Sequence, residues 1–166
     1  MPPATRILGI DPGVATTGLG LVEMDEKRAL CVLDWLTIST KPGPTLAERL
    51  CEIRNDLKEY IMKTKPDLAV VERLFFSKNE KTAFDVAHAR GVVLLTLSEN
   101  EIPFLEPNPM TLKSCITGDG RADKRQVQDM LLKILGLKEI PRPDDAADAL
   151  ALAVFGALNR TTPNLR

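Results

Sequence analysis

Acidic residues at three separate points of the sequence are the first candidates for chemistry. Asp11 lies in GIDPGVATTG, Glu72 ends the apolar run of LAVVERLFF, and several aspartates open PRPDDAADALALA. A carboxylate in or beside an apolar run is costly unless it is paired or bound to a cation. Grouped carboxylates also repel one another unless divalent cations neutralise them. The set therefore indicates a metal site with hard oxygen ligands, the kind that Mg²⁺ prefers.

The aspartates near the carboxyl terminus share a helix face. Asp145 and Asp148 are three positions apart, and Asp144 and Asp148 are four apart. Either spacing places both side chains on one side of a helix, with about 5–6 Å between Cβ atoms. Periodicity alone does not choose between Asp144 and Asp145. Because Pro143 stands just ahead, Asp144 is also a candidate for the helix N-cap.

The chemistry that such a carboxylate set favours is phosphodiester hydrolysis. Two Mg²⁺ ions about 3.5–4 Å apart activate a water on one side of the phosphorus and stabilise the leaving oxygen on the other. Phosphoryl transfer needs mainly positioning and electrostatic stabilisation, so no nucleophilic side chain is required.

A competing interpretation of GIDPGVATTG is a phosphate-binding loop, as in sugar kinases and actin-like ATPases, because backbone N–H groups of a Gly-rich turn bind anions. A two-lobed ATPase repeats this loop in its second lobe, and GIDPG does not recur downstream. We therefore expect no nucleotide cofactor.

Length and composition fit one globular domain. The chain has 166 residues, of which 44% are hydrophobic and 27% charged, enough for a full core. Its longest apolar stretches are shorter than the roughly 18–20 residues that cross a bilayer, so we expect a soluble cytoplasmic protein without a membrane partner. A formal net charge of -1 argues against a surface covered in positive charge, so any contact with nucleic acid must rest on local basic groups.

The predicted elements run strands first and then strand and helix in alternation. Apolar spacing predicts strands at 6–10, 17–24, 30–40 and 68–71 and a short one in IPFLEP; it predicts helices at 44–63, 79–99, 107–116, 123–135 and 144–159. This order predicts an α/β fold, a mixed sheet with helices on both faces. We expect one domain over 1–160 and a loose tail over 161–166.

Four motifs, in order, resemble the RuvC Holliday-junction resolvases of bacteria. They are GIDPG with TGLG, VERLFFSKNEKTAFDVAHARG, GDGRADKRQVQDM and RPDDAADALALA, and together they cover nearly the whole chain. The resemblance implies a ribonuclease H-like fold with a five-stranded sheet. It also implies a homodimeric crossover junction endodeoxyribonuclease that uses two Mg²⁺ ions per subunit, with Mn²⁺ as a substitute. Such an enzyme makes paired symmetric nicks in four-way junction DNA during recombination and repair, in the bacterial nucleoid, with a branch-migration motor of the RuvA and RuvB type as a further partner.

The resemblance also assigns roles to residues. Asp11, Glu72 and Asp148 fall on the family's acidic positions, and Asp145 falls on the remaining ligand position, which leaves Asp144 as the cap. Lys113 and Lys124 match basic positions beside the scissile phosphate, and Lys124 or Lys113 would help to neutralise charge during catalysis.

Aromatic and basic residues are the candidate DNA contacts. Phe75 matches the aromatic that the family places near the strand crossover, with Phe76 as its substitute. In a chain with 4% aromatics, these rings precede the polar SKNEK, which favours a loop where a ring stacks on a base; closing the hydrophobic edge of the sheet is the alternative. The candidate contacts to phosphates and sugars are Lys78, Asn79, Lys81, Arg90, Lys113, Arg121, Lys124 and Arg125.

The helix predicted over 79–99 has a rationale for dimerisation. Its first half is rich in small residues and VVLLTL is apolar on nearly every side, so both faces should be covered. The sheet alone could cover them, whereas the resemblance places part of a two-fold interface here. His88, in the same helix, is expected to have a packing or surface role.

Two other functions stay open at this level. A nuclease of the same fold could act on another nucleic acid, such as an RNA–DNA hybrid. A catalytically idle junction-binding protein is the second, if the acidic balance reflects a lost DNA-binding face.

Overall fold

The structure, a computed structural model, describes residues 4–73 and 80–159. In chain order its elements are β1 (Thr5–Asp11), β2 (Thr16–Met24), β3 (Leu30–Ser39), α1 (Leu46–Thr64), β4 (Leu68–Val71), α2 (Glu80–Glu99), β5 (Phe104–Leu105), α3 (Pro109–Thr117), α4 (Lys124–Leu135) and α5 (Asp144–Asn159). Each predicted strand and helix is present, with small shifts at its ends. Among the predicted DNA contacts, Phe75, Phe76, Lys78 and Asn79 lie outside the described residues, as do the side chain of Lys81 and the tail over 161–166.

The five strands form one mixed sheet in the order β3-β2-β1-β4-β5. Strand β1 is antiparallel to β2 and parallel to β4, and β4 is parallel to β5. Because Ile10 pairs with Val71 across the parallel strands, the residues that follow, Asp11 and Glu72, emerge at the same edge of the sheet. The mixed five-stranded sheet that the sequence predicts is confirmed.

Helices cover both faces of the sheet, as predicted. On one face, Leu8 and Ile10 of β1 belong to a core cluster with Ile53 and Leu57 of α1 and Val93 of α2. On the other face, alternate strand residues form a second cluster with α5, α3 and α4; it contains Ile7, Val22, Val70, Leu112, Leu131 and Leu150. The two-residue side-chain period of a strand accounts for this division.

The first glycine of GIDPG and both glycines of TGLG let α5 approach the sheet. A Cβ atom on Gly9 would collide with the backbone carbonyl of Ala149, one on Gly18 would collide with that of Asp145, and one on Gly20 would lie 2.6 Å from the Leu150 nitrogen. These glycines therefore serve the close packing of a helix against the strands, which is one of the uses of a residue without a Cβ. The packing explains them without a bound phosphate.

Candidate active site

Asp11 and Glu72 come together because parallel strands end at one edge. Asp11 is the last residue of β1, and Glu72 follows the last residue of β4. Both side chains are half-buried. The turn after Asp11 is fixed by Thr17, whose Oγ1 donates to the Gly13 carbonyl at 2.8 Å. Two carboxylates are thus held side by side at the carboxyl ends of the central strands.

Helix α5 brings the other aspartates to the same edge. Asp145 and Asp148 are half-buried, whereas the Asp144 side chain is 69% exposed. The helix begins at Asp144 itself, so the expectation of an N-cap at this residue is wrong: Asp144 lies in the first turn, where its carboxylate pairs with Lys124. The close packing of α5 on Gly18 sets the depth at which Asp145 lies.

A cavity of about 210 Å³ opens between these elements. Its lining combines the carboxylates of Asp11, Glu72 and Asp148 with the ammonium groups of Lys113 and Lys124. The apolar part of the lining consists of Pro109, Leu112, Val127, Ala151 and Leu152. Among the described residues, Asp145 is not part of this lining. A small cleft with an apolar wall and converging charged groups is the usual form of a catalytic site.

Burial and mutual repulsion raise the pKa values of three carboxyls. Burial, and then the negative charges of Asp148, Glu72 and Asp145, raise the pKa of Asp11 from its ordinary 3.8 to about 7. Burial and Asp148 raise the pKa of Glu72, which the nearby Lys113 partly offsets. Burial also raises the pKa of Asp148, against the opposing effect of Lys124. Strongly perturbed acids in a cleft mark a candidate functional site.

Lys124 is held between two aspartates at the start of α4. Its Nζ lies 3.1 Å from Asp148 Oδ2 and 3.2 Å from Asp144 Oδ2. Burial lowers the pKa of Lys124, but the two carboxylates outweigh it and the net direction is upward. The helix start is fixed by a capping box, in which Asp123 accepts from the Gln126 N–H and Gln126 accepts from the Asp123 N–H. The ammonium group therefore has a defined place at the cavity.

The donor set fits a divalent metal ion in chemistry. The three carboxylates of the lining and the neighbouring Asp145 supply hard oxygen ligands. Burial and mutual repulsion raise the pKa values of Asp11, Glu72 and Asp148, and a bound cation would offset both effects. Among the side chains that the structure describes, no group of three or more His, Cys, Asp or Glu is arranged to hold a metal ion.

Of the predicted basic contacts, Lys113 and Lys124 line the cavity, whereas the Arg90 side chain is only 16% exposed. Arg121 and Arg125 are exposed on either side of Lys124 in the chain. Arg90 instead donates from Nε to the Glu72 carbonyl at 3.1 Å and pairs with the Glu106 carboxylate. Glu106 was not among the residues that the sequence indicated, although it follows an apolar strand just as Glu72 does. His88 is exposed on α2, in line with the expected surface role.

No helix in the described part of the chain is long and apolar enough to span a membrane.

The sheet order and the carboxylates at the ends of β1 and β4, opposite those of α5, define a ribonuclease H-like nuclease. A family model described as "Crossover junction endodeoxyribonuclease RuvC" matches residues 7–156. The chain belongs to the RuvC family.

Relatives of that name support the assignment over nearly the full length. The protein of Caldicellulosiruptor saccharolyticus is 44% identical over 157 residues, covering 95% of each chain. The protein of Chloroflexus aurantiacus is 48% identical over 161 residues, covering 97% of this chain and 96% of the relative. The solved structure of Thermus thermophilus RuvC in complex with a Holliday junction substrate has a TM-score of 0.86 at 35% identity, covering 93% of both chains. Membership of this nuclease family implies dependence on a divalent metal ion.

Proposed function

We infer that this protein is a crossover junction endodeoxyribonuclease that resolves four-way (Holliday) DNA junctions by phosphodiester hydrolysis. The observation that carries this conclusion is the coincidence of the RuvC family match with three carboxylates and two lysines on one cavity. A family match alone would also fit a chain that has lost its catalytic groups. The carboxylates of Asp11, Glu72 and Asp148 on one cavity with Lys113 and Lys124 support an active enzyme instead.

Asp11, Glu72, Asp145 and Asp148 are the proposed metal ligands, with Mg²⁺ as the ion and Mn²⁺ as a substitute. When bound, two such ions supply an activated water and stabilise the leaving oxygen of the phosphodiester. The carboxylates must be ionised to bind them, and Asp11, with a pKa of about 7, is the group that limits this at neutral pH.

Lys124 and Lys113 are the proposed partners of the scissile phosphate. Both reach the cavity from helices that pack on α5. An ammonium group beside the transferring phosphoryl group offsets the negative charge that develops in the transition state. Lys124 is partly desolvated and paired with both Asp144 and Asp148, so a phosphate oxygen could replace one carboxylate while the ammonium group stays paired.

The junction contacts that we propose surround this centre. Arg121 and Arg125 lie beside Lys124 in the chain, and positive charge there would bind DNA phosphates. The residues that follow Glu72 closely in the sequence, Phe75 or Phe76 with Lys78 and Asn79, are proposed to contact DNA at the crossover. An aromatic ring stacked on a base contributes about 1–3 kcal/mol.

A homodimer is the proposed assembly, with α2 in its interface. Phe84, His88, Gly91 and Leu95 recur at helical spacing on α2 and are all exposed, Phe84 by 69% and Leu95 by 55%. An exposed apolar stripe of this kind marks an interaction surface, and a two-fold dimer would place two active sites on opposed strands of a four-way junction. The Leu95→Glu variant should shift the species measured by light scattering from dimer to monomer. Met62→Glu, at an exposed position of α1, should remain dimeric.

We also propose that the protein acts on the bacterial nucleoid together with a branch-migration motor of the RuvA and RuvB type. Such a motor should raise the fraction of mobile junctions resolved and leave immobile junctions unaffected.

The experiment that tests the proposed function compares an end-labelled, immobile four-way junction with a linear duplex and an RNA–DNA hybrid of the same sequence, with and without Mg²⁺. We expect paired symmetric nicks only in the junction and only with metal. Glu72→Gln should bind the junction and fail to cut it. If wild type bound the junction but did not cut it with Mg²⁺ or with Mn²⁺, the protein would be a catalytically idle junction-binding protein. If it cut the RNA–DNA hybrid in preference to the junction, its substrate would be a different nucleic acid.

A further inference from the structure

The backbone that carries Glu72 lies beyond the end of the strand ladder. Strand β4 ends at Val71 and pairs with the two-residue strand β5 only through Ala69 and Val70. Glu72 therefore has no place in the regular ladder, although a metal ligand has to be held to within a fraction of an ångström. Other contacts must fix its position.

Arg90 and Glu106 supply those contacts. Arg90 Nε donates to the Glu72 carbonyl at 3.1 Å, and its guanidinium also pairs with the Glu106 carboxylate. The next residue on each segment closes the arrangement, because the Arg73 N–H donates to the Pro107 carbonyl at 2.9 Å. The chain leaving β4, the chain leaving β5 and the helix α2 are thus joined in one closed set of contacts.

Arg90 is well placed to act as an anchor. Its neighbours on α2, Ala89 and Val93, are fully buried in the core, so the helix position is fixed. The side chains of Arg90 and Glu106 are only 16% and 29% exposed. A guanidinium holds two partners in a fixed fork, which a flexible ammonium does not.

We propose that Arg90, oriented by Glu106, is a positioning residue that sets the place of the Glu72 carboxylate and thereby the affinity of the site for divalent metal ions. The proposal rests on the proposed function, and it replaces the expectation from sequence that Arg90 contacts DNA phosphates. Residues that hydrogen-bond to a metal ligand and orient it typically contribute 10–100-fold to metal affinity or activity. Here the oriented group is the backbone of a ligand residue.

The test uses Arg90→Gln, Arg90→Lys and Glu106→Gln, with Arg54→Gln and Glu99→Gln as matched controls. Arg54 of α1 and Glu99 of α2 form a pair at 2.9 Å between exposed side chains. The control variants therefore break another Arg–Glu pair that involves α2, at a different place on this helix. The first measurement is Mn²⁺ binding to the DNA-free protein at pH 8, by electron paramagnetic resonance. The others are junction affinity without divalent metal, single-turnover cleavage across a metal titration, and thermal stability.

We expect Arg90→Gln to weaken Mn²⁺ binding by about 10–100-fold and to move the metal midpoint of cleavage by the same factor. Junction affinity should stay unchanged. Arg90→Lys should recover part of the loss, Glu106→Gln should show a smaller one, and both control variants should match wild type. If Arg90→Gln does not fold, the other two variants decide the question by the same measurements.

Two results would overturn the proposal. One is wild-type Mn²⁺ binding in folded Arg90 and Glu106 variants. The other is weaker junction binding with a salt dependence reduced by about one phosphate contact, which would identify Arg90 as a DNA ligand. A folded wild-type protein that cuts no junction would instead contradict the proposed function, and the DNA-free Mn²⁺ measurement would still decide the role of Arg90.

Discussion

The two faces of strands β1 and β2 differ in the size of the residues that contact the helices. Toward α1 and α2 the strands present large aliphatic residues, among them Leu8, Ile10, Leu19 and Leu21. Toward α5 the alternate positions include Gly9 and Gly20, whose backbone lies close to that of the helix, between the larger residues Ile7 and Val22. The aliphatic face buries apolar area, which stabilises the fold. The glycine face brings a helix close to the sheet, which a site built from both elements requires.

This difference explains why the catalytic candidates lie on one face only. Helix α5 meets the glycines with small residues of its own, including Ala149 and Ala153. Its first turns therefore reach the strand end where Asp11 and Glu72 emerge. Both sides of these strands thus carry a hydrophobic core, and the glycine side in addition positions the carboxylates.

The sharpest contrast that we expect on the glycine face is between Asp145 and Asp144. Asp145 lies above Gly18 and raises the pKa of Asp11, whereas Asp144 is 69% exposed. Asp145→Asn should lower the single-turnover rate of junction cleavage about a thousandfold or more, since a metal ligand contributes several kcal/mol and about 1.36 kcal/mol corresponds to tenfold. Asp144→Asn should lower it less than about tenfold, through Lys124 alone. Equal losses of cleavage rate in the two variants would show that the assignment of Asp145, rather than Asp144, as the metal ligand is wrong.

Adding one methyl group to the glycine face, in the variant Gly9→Ala, should have the next largest effect. The Cβ of Gly9→Ala would meet backbone atoms of Ala149 and Ala153, which cannot rotate away. We expect a loss of about 2–3 kcal/mol in the free energy of unfolding from overpacking, measured by urea denaturation, and slower cleavage because α5 is displaced.

Gly156→Ala is the matched control for that prediction. Its Cβ would meet methyl groups of Val70 and Ile7 at 2.6 and 2.7 Å, and alanine stabilises a helix interior by about 0.5–1 kcal/mol relative to glycine. Because Val70 and Ile7 are buried, β-branched side chains with restricted rotation, we expect a net loss of about 1 kcal/mol, smaller than that for Gly9→Ala, and retained cleavage. A Gly9→Ala variant as stable and active as Gly156→Ala would mean that close approach of α5 is not required.

Much of this arrangement could be predicted from the sequence, because it depends on local patterns. Apolar spacing predicted each element, and the carboxylates after two buried runs predicted where Asp11 and Glu72 would emerge. The function of the glycines could not be predicted, since a Gly-rich turn fits a phosphate loop and a helix contact equally well. The pairing of Arg90 with Glu106 joins residues that are distant in sequence, and only the three-dimensional structure shows it.

The pH dependence of the free energy of unfolding should report the charge of Asp11 on the glycine face. In chelator, the unfolded chain loses the Asp11 proton near pH 4 whereas the folded chain keeps it up to about pH 7. Wild type therefore loses stability as pH rises across this window. Asp11→Asn should lose less, because only Glu72 and Asp148, whose pKa values are also raised, remain to contribute. At pH 8 the variant should be more stable than wild type by about 1–3 kcal/mol. This is less than the free energy that the whole pKa difference would give at about 1.36 kcal/mol per pKa unit, because solvent reaches the cavity and screens the charges.

The control for that prediction is the same pair of proteins at pH 4, where their stabilities should agree. Saturating Mg²⁺ at pH 8 should stabilise wild type and leave Asp11→Asn unchanged, because only wild type retains the full ligand set. A constant difference at all pH values would show that the variant acts through packing rather than charge.

The smallest effect that we predict belongs to the aliphatic face. Tyr60 of α1 is 8% exposed and donates from its hydroxyl to Asp34 of β3 at 3.2 Å. Tyr60→Phe should lower the free energy of unfolding by about 0.5–1.5 kcal/mol, the usual net value of one hydrogen bond, and should leave cleavage unchanged. Burial and Asp34 raise the pKa of Tyr60 above its ordinary 10.0, so wild type also loses stability above pH 10, a loss that the variant lacks. If Tyr60→Phe slowed cleavage, the two faces would be coupled, and the assignment of carboxylate positioning to the glycine face alone would fail.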